Sequence, residues 1–113
     1  MKLVIAIIQP DKLEPVMEEL DQAEIHLRTV SQVLGCGRQG GTPEVYRGHK
    51  EAGRLLKKVR LEIAVNEAYL EPTIKAIVTA AKTGEVGDGK IFVLDLEECV
   101  RIRTAERGRE AIG

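Results

Sequence analysis

The chain repeats one pattern at an interval of 57 residues, and that repeat limits its fold more than any other feature. Leu13-Glu14-Pro15-Val16-Met17-Glu18-Glu19-Leu20 corresponds to Leu70-Glu71-Pro72-Thr73-Ile74-Lys75-Ala76-Ile77, with the proline in the same place. The same offset lays Leu3–Gln9 onto Arg60–Asn66. Register kept through a strand, a turn and a helix indicates two copies of one structural unit. Leu3 to Ile8 is a continuous apolar run rich in β-branched residues, which predicts a central strand covered on both faces. Arg60 to Val65 begins with alternation, Leu61 and Ile63 facing one way, Arg60 and Glu62 the other.

Each strand leads into a helix. Leu13, Val16, Met17, Leu20 and Ala23 form one apolar stripe, and Leu70, Ile74, Ile77, Val78 and Ala81 form the second. Pro15 and Pro72 would break a helix interior, so each helix is expected to start just upstream of its proline. Asp11 is placed to cap the first, with Glu14 completing a capping box. Further strands are expected over Ile25–Leu34 and Ile91–Leu94, with a short extra one over Val100–Arg103. The order βαβ–βαβ predicts an α+β, ferredoxin-like sandwich: one domain over residues 1–113, an antiparallel sheet, both helices on one face. The bare sheet face must then meet something, and oligomerisation is the simplest answer.

Composition narrows the setting. No apolar run approaches the roughly 20 residues that span a bilayer. The apolar N-terminus ends too early, at Gln9, Pro10, Asp11 and Lys12, to read as a signal peptide. A cytosolic location without membrane insertion is expected. Cys36 and Cys99 match no metal spacing, and with only His26 and His49 besides, a structural zinc site lacks ligands. Net charge is −1, yet residues 38–60 carry seven basic side chains against Glu44 and Glu51. The C-terminal segment, about 98–113, adds Arg101, Arg103, Arg107 and Arg109. Such local excess suits an anionic ligand or an acidic partner, and equally a solvated basic loop.

Three segments could carry chemistry. Gly84 through Lys90 matches the start of a Walker A loop, but Ile91 stands where magnesium needs Ser or Thr. A strand-like run also follows it instead of a helix. A glycine-rich turn able to present backbone N–H groups to an anion remains, beside one lysine, or else a plain helix-to-strand connection. In Gly35-Cys36-Gly37-Arg38-Gln39 the glycines permit close approach to the backbone, Arg38 suits phosphate, and Gln39 offers a neutral oxygen for magnesium. A flexible hinge is the plainer reading. Arg101-Ile102-Arg103 would place two guanidinium groups on one face of a short strand, or simply on a solvated edge. Serine occurs once, at Ser31, and neither histidine sits in a catalytic motif, so no nucleophile–base pair is apparent. Between the two halves, Gly35–Lys57 holds six glycines and one proline without sustained periodicity, the mark of a functional or mobile loop.

Four motifs together resemble the PII signal-transduction family. They are Gly35-x-Gly37-Arg38-Gln39, Glu44-Val45-Tyr46-Arg47-Gly48, Gly84-x-Val86-Gly87-Asp88-Gly89-Lys90-Ile91-Phe92-Val93 and Arg101-Ile102-Arg103-Thr104-x-Glu106-Arg107-Gly108. The resemblance implies a nonenzymatic homotrimer with ATP or ADP in the clefts between subunits. Its phosphates would be held by Arg38, Gly87, Gly89, Lys90, Arg101 and Arg103, with Gly35, Gly37, Gln39 and Asp88 also among the nucleotide-binding residues. Ile7, Thr29, Glu62 and Ala64 would lie near the adenosine. Gln39 would coordinate Mg2+ bridging ATP and 2-oxoglutarate, with Lys58 pairing with that acid's carboxylate near Gly87. The segment of about 37–57 would be the family's T-loop, through which Tyr46 and Arg47 engage partners such as ammonium transporters or nitrogen-metabolism enzymes.

The sequence also departs from the family pattern. Glu51 occupies the place of the uridylylated tyrosine and His49 that of a phosphorylated serine. Cys36 and Gly40 replace a usual phenylalanine and lysine beside the 2-oxoglutarate site, and Thr42-Pro43 and Gly53 remodel the T-loop. A specialised nucleotide sensor without a 2-oxoglutarate response, serving another transporter or enzyme, is therefore a second reading. Nucleic-acid binding is not expected, because Phe92 alone makes a poor stacking platform and the chain holds one Phe, two Tyr and no Trp.

Overall fold

A computed structural model describes residues 1–36, 45–46, 49–50 and 54–113, the two short pairs through their backbone alone. Strand β1 (Lys2–Ile8) leads through a single 3-10 turn, Pro10–Lys12, into helix α1 (Leu13–Gln22) and then β2 (Thr29–Gly35). After an antiparallel pair, β3 (Val45–Tyr46) with β4 (His49–Lys50), the unit recurs. Strand β5 (Leu56–Val65), the 3-10 turn Glu67–Tyr69, helix α2 (Leu70–Ala81) and strand β6 (Gly89–Asp95) follow in order. A single helical turn, α3 (Arg109–Ile112), comes last. The repeat is therefore borne out down to its 3-10 turns, which share the 57-residue offset.

The sheet runs β2-β5-β1-β6, with every neighbouring pair antiparallel. This is the strand order of a ferredoxin-like fold. Val4, Ala6 and Ile8 of β1 lie opposite Ile63, Leu61 and Val59 of β5, and all six are buried. Val16 and Leu20 of α1, with Ala76, Ile77 and Ala81 of α2, close over them. Both helices thus cover one sheet face. Burial of this apolar layer is the main term favouring the fold. Thr73, also fully buried, donates its hydroxyl to the Tyr69 carbonyl at 2.6 Å and so leaves no polar atom wanting.

Several local expectations give way to other geometry. Asp11 and Glu14 form no capping box, because the 3-10 turn supplies the helix entry: the Gln9 carbonyl accepts the Lys12 N–H at 3.0 Å, and no side chain caps either element. Pro15 then occupies the first turn of α1, where its missing N–H has no helical partner to lose. Ile25 belongs to the core as part of the connection preceding β2 and not to the strand. Val78 is 44% exposed, at the margin of its stripe.

The run Leu3–Ile8 is covered on one face only. Leu3, Ile5 and Ile7 look out on the helix-free side, in register with Leu94, Phe92 and Lys90 of β6 and with Ala64, Glu62 and Arg60 of β5. Phe92 and Leu94 remain about half exposed. The continuous apolar sequence of β1 therefore builds two layers, the core and an open apolar sheet face.

Candidate functional site

The connection from α2 to β6 is organised around Asp88. Its carboxylate accepts the Thr83 N–H at 2.8 Å, the Thr83 hydroxyl at 2.5 Å and the Gly84 N–H at 3.0 Å. The Thr83 hydroxyl in turn accepts the Glu85 N–H at 3.1 Å. From outside, the Gln9 amide donates to the Gly87 carbonyl at 2.6 Å. Asp88, expected among the nucleotide-binding residues, thus turns its oxygens into its own loop and acts by shaping it. The Thr83 hydroxyl, and after it the Thr83 amide, hold the Asp88 carboxyl below the usual carboxylate range.

A depressed folded-state value stabilises the folded form above the ordinary value of 3.8, and that contribution is lost as pH falls through the depressed one. We therefore expect the Asp88 carboxyl to titrate below 3.8 in a carbon-detected NMR experiment. A midpoint at or above 3.8 would mean that the Thr83 bonds do not persist in solution.

Gly89 begins β6 with a φ of +108°, directly against the end of β1. A side chain at this position would meet the Ile7 carbonyl, so the glycine lets the loop enter the sheet tightly. Lys90 follows, exposed, and sits opposite Ile7, whose other neighbour is Arg60. Ile7 therefore belongs to the loop end of the sheet. Lys58 lies two residues further along β5 from Arg60, opposite Val33 on β2, and only 8% of it is exposed. A Cβ built on Gly35 would stand 3.6 Å from the Lys58 stem, which shows how closely β2 covers it. Gly35, Lys58, Ile7, Gly89 and Lys90 thus share one end of the sheet. Gly37, Arg38, Gln39 and Arg47 lie outside the described residues, and Tyr46 is placed by its backbone in β3.

The other group begins in the next row of the same face, where Glu62 stands opposite Ile5. Thr29 pairs with Glu62 across β2 and β5, and both line a cavity of about 410 Å³ with Ala64. Leu3, Leu27, Cys99, Ala111 and Ile112 complete its apolar wall. Sequence reasoning did not find these five. Leu27, expected within a strand over Ile25–Leu34, precedes β2 instead, and the C-terminal residues reach the cavity only through the tertiary fold.

Residues 101–104 form a turn and not the expected strand. Val100 makes an isolated bridge to Arg107, the Arg101 N–H reaches the Glu106 carbonyl at 2.9 Å, and Ala105 takes a φ of +61°. The Arg101 guanidinium is held by the Glu106 carboxylate at 2.7 Å and the Glu110 carbonyl at 2.9 Å. A hydrogen bond from the Thr104 hydroxyl, with the Arg101 charge second, keeps the Glu106 carboxyl below its usual range. Arg103 stands exposed on the same turn.

The arginine turn follows the far end of the strand that Lys90 opens. From Lys90 to Asp95 strand β6 advances by five residues, roughly 17 Å, before the C-terminal segment begins. The chain offers a cationic glycine loop where β6 begins and an arginine turn beyond its end. Among the described residues no cluster of His, Cys, Asp and Glu could hold a metal ion, and no described helix is long and apolar enough to cross a membrane.

Comparison with known proteins gives this arrangement a family. Residues 1–106 match the model of "Nitrogen regulatory protein P-II". The chain belongs to the PII family. Among PII relatives, nitrogen regulatory protein GlnK1 of Methanosarcina mazei is 54% identical over 114 residues, covering 99% of this chain and 97% of that protein. Nitrogen regulatory protein P-II 1 of Methanothermobacter thermautotrophicus is 52% identical over 112 residues, with the same coverage. The P-II protein of Rhizobium etli is 47% identical over 112 residues, covering 99% of this chain and all of that protein. The molecule is thus a PII-type signal-transduction regulator with the ferredoxin-like PII fold.

Proposed function

We propose that this PII protein is a nonenzymatic homotrimeric sensor that binds ATP or ADP between neighbouring subunits. One observation carries the reading: Lys90 stands where the glycine loop enters β6, whereas Arg101 and Arg103 lie on a turn beyond the far end of that strand, Asp95 being roughly 17 Å from Lys90 along it. A second copy, packed through the open apolar face of Leu3, Ile5, Phe92 and Leu94, supplies the missing half to each cleft. Thr29, Glu62 and Ala64 wall the adenosine side. Gly87, Gly89 and Lys90 of one subunit face Arg101 and Arg103 of the next across the phosphates. Cationic side chains and backbone N–H groups in a partly dry cleft suit a polyphosphate. Gly35 lies at the same end of the sheet, and Arg38 and Gly37 are assigned to the phosphates with it.

Mg2+ held by Gln39 would neutralise the phosphates that remain and hold 2-oxoglutarate, whose distal carboxylate fits the ammonium of Lys58, a residue 8% exposed. A buried lysine that makes no ion pair among the described residues favours an anion. Ligand identity then biases the pose of the T-loop, by no more than the difference in its affinity for each pose. Tyr46 and Arg47 on that loop engage a cytosolic nitrogen-metabolism enzyme or the cytosolic face of an ammonium transporter.

Calorimetric titration of 2-oxoglutarate in the presence of Mg-ATP tests the effector. Binding that needs Mg-ATP, and that Gln39→Ala weakens at least about tenfold, is the expected result. Equal binding after Gln39→Ala contradicts the chelate. No binding to the wild-type chain favours the specialised sensor without a 2-oxoglutarate response.

A further inference from the structure

We propose that Gln9 is the positioning residue of the phosphate loop, fixing the peptide plane that joins Gly87 to Asp88. This inference rests on the adenylate reading above. Its physical basis is the loop's own freedom. Gly87 has a φ of +106° and no side chain, so its sterics do not choose between the two orientations of the following peptide plane. The Asp88 carboxylate anchors the residue after that plane to Thr83 and Gly84, but it leaves the plane free to turn. The remaining constraint is the 2.6 Å bond from the Gln9 amide to the Gly87 carbonyl.

A trans peptide sets its N–H opposite to its carbonyl. Drawing the Gly87 carbonyl toward Gln9 therefore aims the Asp88 N–H away from Gln9. Gln9 is itself a firm support. It follows directly on β1, the strand paired on both sides with β5 and β6, and its own carbonyl accepts the Lys12 N–H at 3.0 Å. The side chain thus ties the plane that follows Gly87 to a strand paired on both sides. In the flipped plane a carbonyl oxygen would point where the N–H now points, and oxygen repels phosphate.

The test compares Gln9→Glu, which keeps the shape but removes the donor, with Gln9→Lys, which keeps a donor of similar reach. ADP affinity is measured by calorimetry on the full chain, adenosine affinity by competition, and ligand-free stability by thermal unfolding. We expect Gln9→Glu to bind ADP about tenfold more weakly, Gln9→Lys to recover most of that loss, and adenosine affinity and the unfolding midpoint to stay as in the wild type. Undiminished ADP binding by Gln9→Glu would overturn the assignment. So would failure of Gln9→Lys to recover, or a parallel fall in adenosine affinity or unfolding midpoint, which marks a merely structural role. A wild-type chain that binds no ADP would instead refute the adenylate reading before any substitution is made.

Discussion

Gly89→Ala is expected to destabilise the protein by about 3–5 kcal/mol and to abolish the phosphate loop's present shape. Two independent costs coincide there. The φ of +108° is strained for any residue with a Cβ, and that Cβ would stand 1.8 Å from the Ile7 carbonyl oxygen and 2.9 Å from its carbon. Neither neighbour can yield. Both are backbone atoms of β1, which is bonded to β5 on one side and β6 on the other. Relief therefore requires β6 to detach at its first residue, and the Lys90 ammonium moves with it. For a domain whose total stability is about 5–15 kcal/mol, such a loss is large. Urea denaturation followed by circular dichroism measures it. A midpoint within error of the wild type would show that the close approach is absent in solution.

Lys90→Ala and Arg103→Ala are each expected to weaken ADP binding by about 10- to 100-fold while leaving the fold intact. Removal of one charge-assisted bond to a phosphate in a partly dry cleft sets that scale. Both side chains are exposed in the single chain, so truncating them opens no cavity. Arg101 differs, because its guanidinium also holds Glu106 and the Glu110 carbonyl, and its loss would disturb the C-terminal turn as well. Calorimetry with ADP, paired with thermal unfolding of the ligand-free variants, separates binding from folding. Wild-type affinity in both variants would remove the phosphate assignment.

Much of the fold was legible in the sequence because the repeat is a packing pattern. Leu13 and Leu70 open equivalent helices, Pro15 and Pro72 occupy equivalent first turns, and alternation in Arg60–Val65 marks a strand with one buried face. The exceptions share a cause. Asp11 looked like a cap because cap chemistry is local, yet backbone bonds of the 3-10 turn had already met the need. Arg101-Ile102-Arg103 looked like a strand, but an edge strand requires a neighbour, and here Glu106 draws the chain into a turn. Leu3–Ile8 looked covered on both sides, since an apolar face awaiting a partner molecule has the same composition as one already packed.

The candidate site was legible in its parts and not in their placement. Glycine-rich loops, lone lysines and arginine pairs are visible as residue types, and the resemblance to the PII family named them. Only the sheet register shows that Thr29 stands beside Glu62, with Ala64 two residues further along β5, and that Gly89 and Lys90 stand beside Ile8 and Ile7. Leu27, Cys99, Ala111 and Ile112 entered the cavity wall without any sequence signal, because tertiary proximity has no local code.

Mixing the two phosphate-side variants within one oligomer tests the joint site most directly. Chains carrying Lys90→Ala and chains carrying Arg103→Ala are unfolded together, refolded as mixed assemblies and titrated with ADP. If each site draws Lys90 from one subunit and Arg103 from its neighbour, some interfaces regain both groups, and a fraction of sites with wild-type affinity returns. If every mixed assembly binds as poorly as its parents, or the assembly proves monomeric, a site shared between subunits is ruled out.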